Sequence, residues 1–324
     1  MIKRLIASVL ALILLLIAIS LPASGAATAT TSYDIVTTDQ SGSGSILVFD
    51  RTAADWNAAG AVKWSWAPSA SNGFASPTPG WGRPSDAKLR YNCLFGGYWM
   101  VVTDSYGLAA IVPYPAKNDK KWSINLGTGP NLHSAELLPN GNIAIAASTG
   151  GWVRVYTSSQ GPTSTTNVQY ALEAAHSVLW DPAGNQLWAL GKNYLVALTI
   201  GGTASAPTLT EKLKIALPTL NGHDLQPVIG DPDRLWVSTG SAVYQYVKST
   251  NSWSSTFAGA SSISRVGVKS VSNDPGGQVV ETVPKAGCAT TWCTDTADFF
   301  LPGATRTKTG SQFYKARFWN PDYQ

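Results

Sequence analysis

A spacing of about 46 residues runs through this chain, and histidines and lysines mark it. His133, His176 and His223 are the only histidines. Lys88 precedes them and Lys269 and Lys315 follow, in steps of 45, 43, 47, 46 and 46 residues. Each of the six opens or enters a short strand-like stretch, such as His133-SAELL, His176-SVLW and Lys269-SVS. A period of this length is that of a propeller blade, a four-stranded antiparallel sheet set radially around a channel.

The turns keep the same time. Pro139-Asn-Gly, Asp181-Pro-Ala-Gly, Gly230-Asp-Pro-Asp and Asp274-Pro-Gly-Gly fall between first and second strands. The interval from His133 to Gly141 is eight residues, and it recurs from His176 to Gly184, Lys269 to Gly277 and Lys88 to Gly96. Between these turns stand β-rich runs, among them Ile143-AIAAS, Trp152-VRVYT, Gln186-LWAL and Arg234-LWVSTG. Three strands before Lys88 lack an inner partner, and Phe313-YKARFW at the other end has no sheet after it. The two remnants complete one another. The expected fold is all-β: a six-bladed propeller closed by the C-terminal strand joining the N-terminal blade. A seven-bladed ring with one degenerate blade, or a pair of β-sandwiches, is the alternative. Lys88-Leu-Arg90 and Lys315-Ala-Arg317 share a form, which suggests a shared register.

Residues 1–25 read as a signal peptide. A basic start at Lys3 and Arg4 leads into an apolar run from Leu5 to Ile19, then into small residues around Gly25 and Ala26. Residues 26–324 form one domain, expected to be secreted, monomeric and free of the membrane once the leader is cleaved. Without Lys3 and Arg4 the formal charge falls from +4 to about +2, too little for a general nucleic-acid binder. Of three cysteines, Cys288 and Cys293 are placed to bridge one loop in an oxidising compartment, and Cys93 is expected inside a strand.

Inner strands of a propeller converge on its channel, so the periodic residues are expected to share one funnel, with Arg90 and Arg317 two residues deeper. His133, His176 and His223 are the candidate catalytic residues. Lys88, Arg90, Lys269, Lys315 and Arg317 are the candidate substrate-binding residues. No carboxylate occupies a periodic position, and three lysines beside three imidazoles oppose a divalent cation, so no cofactor is expected, although a metal at the funnel stays an alternative. Asp224 and Glu136 lie near enough in sequence to orient an imidazole. Neutral imidazoles beside fixed cations suit β-elimination on a uronic acid, where a cation neutralises the carboxylate and a histidine takes the adjacent proton. Trp64, Trp66 and Trp81 flank the Pro68–Pro84 loop and could stack on sugars, though packing is the stronger expectation for them, as for Trp188 and Trp236. The faces of Trp180 and Trp319 stay open.

With its propeller period, leader, three periodic histidines and neighbouring Lys and Arg residues, the chain resembles secreted β-propeller polysaccharide lyases with a histidine-rich funnel. It is similar also to secreted propellers of unassigned function. The first resemblance implies an extracellular lyase acting on an acidic polysaccharide or oligosaccharide. A non-catalytic module binding an anionic glycan or cell-wall polymer is the alternative, and a scaffold binding a protein on its rim is a third.

Overall fold

The computed structural model describes residues 33–323. The leader expected over residues 1–25 lies outside them. The described chain forms six four-stranded antiparallel sheets. Their inner strands are Phe313–Phe318 in blade 1, then Pro84–Tyr91, Leu132–Leu137, Ser177–Asp181, Asp224–Pro227 and Ser270–Asn273 in blades 2 to 6. Successive inner strands touch, and the last touches the first, so the ring is closed. Closure comes from the C-terminal strand: Phe318 pairs with Ile35 and Arg317 with Val36, at the inner edge of Ile35–Asp39. This strand covers an edge that would otherwise be open to other chains.

Alternation in the strands builds the interior. Side chains of one blade face pack on the opposing face of the next, and the buried apolar residues fall into six clusters, one per blade interface. Trp188 against Tyr246 joins blades 4 and 5, and Trp236 against Phe257 serves blades 5 and 6. Trp64 and Trp66 are buried between blades 1 and 2, with Trp81 and Trp319 in the same cluster, and Trp180 is buried between blades 3 and 4. These tryptophans are packing residues.

Cys288 and Cys293 are bridged. Cys93 corrects the expectation of a buried strand residue: it is exposed, in the turn after Pro84–Tyr91.

Candidate functional site

Repeating hydrogen bonds between neighbouring inner strands establish which residues are equivalent. Ser134 Oγ accepts from Val178 N, Asp224 Oδ2 from Val271 N, and Ser270 Oγ from Ala316 N. The residue preceding these acceptors is His133, His223 or Lys269. The same register, counted back from Val178 and Ala316, gives His176 in blade 4 and Tyr314 in blade 1. In blade 2 it gives Ser85, since Ser134 donates to Asp86 and the strand bulges between Pro84 and Asp86 as it does between Leu132 and Ser134. The true ring is Ser85, His133, His176, His223, Lys269 and Tyr314.

Four of the six periodic positions are therefore confirmed, and two are shifted. Lys88 lies three residues past its ring position, because the inner strand of blade 2 is eight residues long against six in blade 3. Lys315 lies one residue past. The resemblance between Lys88-x-Arg90 and Lys315-x-Arg317 is out of register by two residues, since Arg317 and Lys88 are the equivalent pair.

The shift divides the residues between two layers. His133, His176, His223, Lys269 and Tyr314 line a cavity of about 600 Å³, roofed by Arg83, Tyr106, Trp292 and Gln40. No aspartate or glutamate lines it. The expected substrate-binding residues Lys88, Arg90, Lys315 and Arg317 are instead buried deeper in ion pairs, which corrects their assignment to the open funnel. Arg317 bridges Asp86 and Asp224. Lys315 Nζ lies 3.3 Å from Asp224 and Lys88 Nζ 3.4 Å from Glu136. Arg90 binds both Glu136 oxygens, at 2.7 and 2.9 Å, and stacks on Tyr323. The expectation of uncompensated lysines also fails here, because Asp86, Glu136 and Asp224 stand among them. Burial alone would raise Asp86, but Arg317, Lys315 and Lys88 outweigh it and hold its carboxyl below the usual range. Burial lowers the Lys88 amine against the pull of Glu136 and Asp86. Neither Asp224 nor Glu136 orients an imidazole. The channel is thus plugged below the histidines, and the cavity is a blind funnel.

Local backbone explains how the four confirmed residues reach the cavity. Two positions before each stands a residue in the left-handed region: Asn131 (φ 53), Ala174 (φ 46), Asn221 (φ 65) and Gly267 (φ 78). The chain turns sharply there and enters the strand with the ring residue at the mouth. Asn and Gly tolerate that conformation, whereas Ala does so at a cost of about 1–2 kcal/mol. At Ala174 the carbonyl meets His176 Nδ1 at 2.8 Å. A carbonyl only accepts, so Nδ1 carries the proton and Nε2 keeps its lone pair.

Burial lowers all three imidazoles below their ordinary value, and the neighbouring imidazoles and lysines push in the same direction. His133 falls well below it. His176 drops to about 4, against the opposing pull of the Ala174 hydrogen bond, and His223 drops to about 2. All are neutral near pH 7. Lys269, itself lowered by burial, lies 3.0 Å from His223 Nε2 and donates to it. Tyr314 Oη lies 3.3 Å from His133 Nδ1, and burial raises the phenol, which therefore keeps its proton. His133 and His176 stack with centroids 4.3 Å apart and planes 19° apart. Imidazole lone pairs lie in the ring plane, so stacked rings send them along parallel lines and do not converge them on one ion. Among the described residues no group of three His, Cys, Asp or Glu has the arrangement of a metal site.

Sequence reasoning missed Tyr314, Arg83, Trp292 and Asp86, and it singled out Asp224 and Glu136 for a role other than the plug. Tyr314 had a signal, being 45 residues after Lys269. Arg83 and Trp292 sit on loops outside the period and had none.

A six-bladed propeller with a blind, cationic, imidazole-walled funnel is the class these features define. The chain belongs to the family of unknown function DUF6528, which it matches over residues 5–320. No curated protein matches it. Among solved structures it is similar to a protein of unknown function from Bacteroides caccae, with a TM-score of 0.52 and 11% identity over 83% of this chain and 90% of that one. Virginiamycin B lyase from Staphylococcus aureus gives a TM-score of 0.48 and 14% identity over 86% and 85%. Kuenenia stuttgartiensis hydrazine synthase gives 0.47 and 11% over 70% of this chain, which spans only 65% of that one. At such identities the likeness shows the propeller fold alone.

Proposed function

We propose that the funnel takes a carboxylate-bearing sugar of an acidic glycan and cleaves it by β-elimination. The observation that carries this reading is His176: its tautomer is set by the Ala174 carbonyl, so a neutral Nε2 base stands in a cavity whose charged side chains are cations. Nε2 would take the proton on the carbon next to the carboxylate. The electron pair moves into an enediolate, which Lys269 offsets, and then forms the new C=C bond as the C4–O bond breaks. The departing oxygen takes the Tyr314 proton, and the histidinium returns one through water. His133 holds Tyr314. A bound carboxylate raises the basicity of His176 by favouring its charged form. The leader and the bridged cysteines support an extracellular setting.

The test is absorbance at about 235 nm, where an unsaturated uronate absorbs, during incubation with a panel of uronate glycans; His176→Ala should lose ~10²–10⁴-fold in rate. No signal from the wild type across the panel would sink the proposal. One observation favours a second reading, a non-catalytic glycan-binding module: the free imidazoles are weak bases. That reading expects salt-sensitive binding, lost in Lys269→Ala, with no product.

A further inference from the structure

The roof of the funnel holds an arginine unlike the others near the channel. Arg90 and Arg317 are saturated by carboxylates. The Arg83 guanidinium forms no salt bridge with a carboxylate among the described residues, although Asp104 lies near enough to feel its charge. Its carbon lies instead over two aromatic rings, 5.6 Å from the Tyr106 centroid and 5.3 Å from that of Trp292. Cation–π contacts to two aromatic faces hold the guanidinium without using its N–H donors, which are left for a ligand. A planar fork of this kind matches a carboxylate through two parallel hydrogen bonds.

The surroundings are built to hold that arrangement. The Asp104 carboxylate accepts from the backbone N–H of Gly82, Arg83 and Tyr106, at 2.9, 2.7 and 2.7 Å, and so ties the arginine to one of its flanking rings. Trp292 Nε1 donates to Gln40 Oε1 at 3.0 Å, and Gln40 Nε2 donates to the Pro84 carbonyl at 3.1 Å. Gln40 thus ties the other ring to the residue after Arg83. Trp292 stands inside the loop closed by Cys288 and Cys293, so the disulfide limits where its ring can go. Each of these residues comes from blade 1, 2 or 6, facing histidines supplied by blades 3, 4 and 5.

We propose that Arg83 and Trp292 form a second subsite, binding a further carboxylate-bearing sugar of the same chain by a bidentate salt link and ring stacking. This rests on the glycan reading above and adds to it. The ligand is an oligomer with acidic residues on neighbouring units, one at Lys269 and the next at Arg83. Because the funnel is blind, the chain enters by an end and its remainder leaves past Trp292.

Calorimetry with trigalacturonate, a glucuronate-containing trisaccharide and neutral maltotriose tests this on the full mature chain. The wild type should bind an acidic trimer and not maltotriose. Arg83→Gln should weaken that binding ~10–100-fold, the worth of a charged hydrogen-bonded pair. Arg83→Lys should recover only part of it, because an ammonium lacks the fork. Trp292→Phe should remove most of the ligand-induced change in indole fluorescence. The double variant Cys288→Ser/Cys293→Ser should weaken binding in the same direction. If elimination occurs, Arg83→Gln should raise KM and leave kcat nearly unchanged. Unchanged affinity in Arg83→Gln, beside a wild type that binds the trimer, overturns the subsite and leaves the glycan reading standing. Arg83-dependent binding without any product supports the subsite and removes the lyase. No binding of either acidic trimer by the wild type overturns both.

Discussion

The two layers of the channel use similar residue types to opposite ends. Below, Lys88, Arg90, Lys315 and Arg317 meet Asp86, Glu136 and Asp224, all buried, and the charges consume one another's field. Above, Lys269 and Arg83 face a cavity with no carboxylate on its wall. Burying ions in pairs seldom adds stability over well-packed apolar residues, but removing one partner leaves the other stranded. The plug therefore acts as a fixed floor, and the upper layer keeps its potential for a ligand. Arg317→Met tests this most severely, because it removes the one guanidinium that bridges Asp86 and Asp224 and leaves two buried carboxylates to the longer lysine contacts alone. It should cost about 3–5 kcal/mol in denaturant unfolding. A cost below ~1 kcal/mol would show that the plug is not the structural half of the channel.

The layers also separate along the pH axis. Upper-ring imidazoles are held neutral, so the unfolded chain takes up protons first as pH falls below its ordinary histidine value of 6.5. Stability contributed by neutral His176 is complete above 6.5 and declines as pH falls to about 4. Linkage limits that loss to roughly 3 kcal/mol for this residue. The plug behaves differently: Asp86 is held below its ordinary 3.8, so its contribution is present above 3.8 and is lost only at more acid pH. Unfolding free energy measured from pH 7 to 4.5 should fall, and His176→Gln should flatten that slope. A slope indifferent to the substitution breaks the assignment of this window to the upper ring.

Exchange of the same substitution between layers gives a smaller but cleaner contrast. Lys269→Met should weaken acidic-trimer binding about tenfold and leave stability within ~0.5 kcal/mol, since the group faces a cavity and His223 is its one hydrogen-bond partner among the described residues. Lys88→Met should do the reverse, destabilising the fold while binding persists. Equal effects on binding from both would merge the two layers into one site.

How far these layers were legible in the sequence depends on what the period could resolve. Blade number and closure by Phe313–Phe318 could be read because turns and strand runs recur, and a propeller repeats backbone, not side chains. A spacing of about 46 residues tolerates errors of one to three, which is enough to confuse a lysine aimed into the funnel with one buried beneath it. The eight-residue strand of blade 2 absorbed that error at Lys88, and the bulge that takes in Tyr314 and Lys315 absorbed it at the other end. A finer marker was present in part. Asn131, Asn221 and Gly267 are residue types that accept a left-handed turn, and each stands two before a true ring residue. Phe313, two before Lys315, is not of such a type; Asp86, two before Lys88, is, but it lies in the extended strand and makes no such turn. Asp86 was hidden for another reason: burying a carboxylate beside cations depends on which strands meet, which is non-local.

Ala174 is the exception in that series, and it yields the smallest expected effect. Its φ of 46° suits glycine or asparagine, yet the residue is alanine, and its carbonyl holds His176 Nδ1. Ala174→Gly removes the Cβ clash, worth about 1–2 kcal/mol, but adds freedom to the unfolded chain worth about 0.4–1 kcal/mol. The net should be a gain in unfolding free energy between about zero and 1.6 kcal/mol. If the strained alanine also restrains the imidazole, the same variant should slow elimination while the protein becomes more stable. Asn221→Gly, at the same place before His223, relieves less strain because asparagine already tolerates the turn, and among the described residues no carbonyl bonds His223 Nδ1. Loss of stability in Ala174→Gly would show that the left-handed turn is not under strain, and the upper ring would then owe its aim to packing alone.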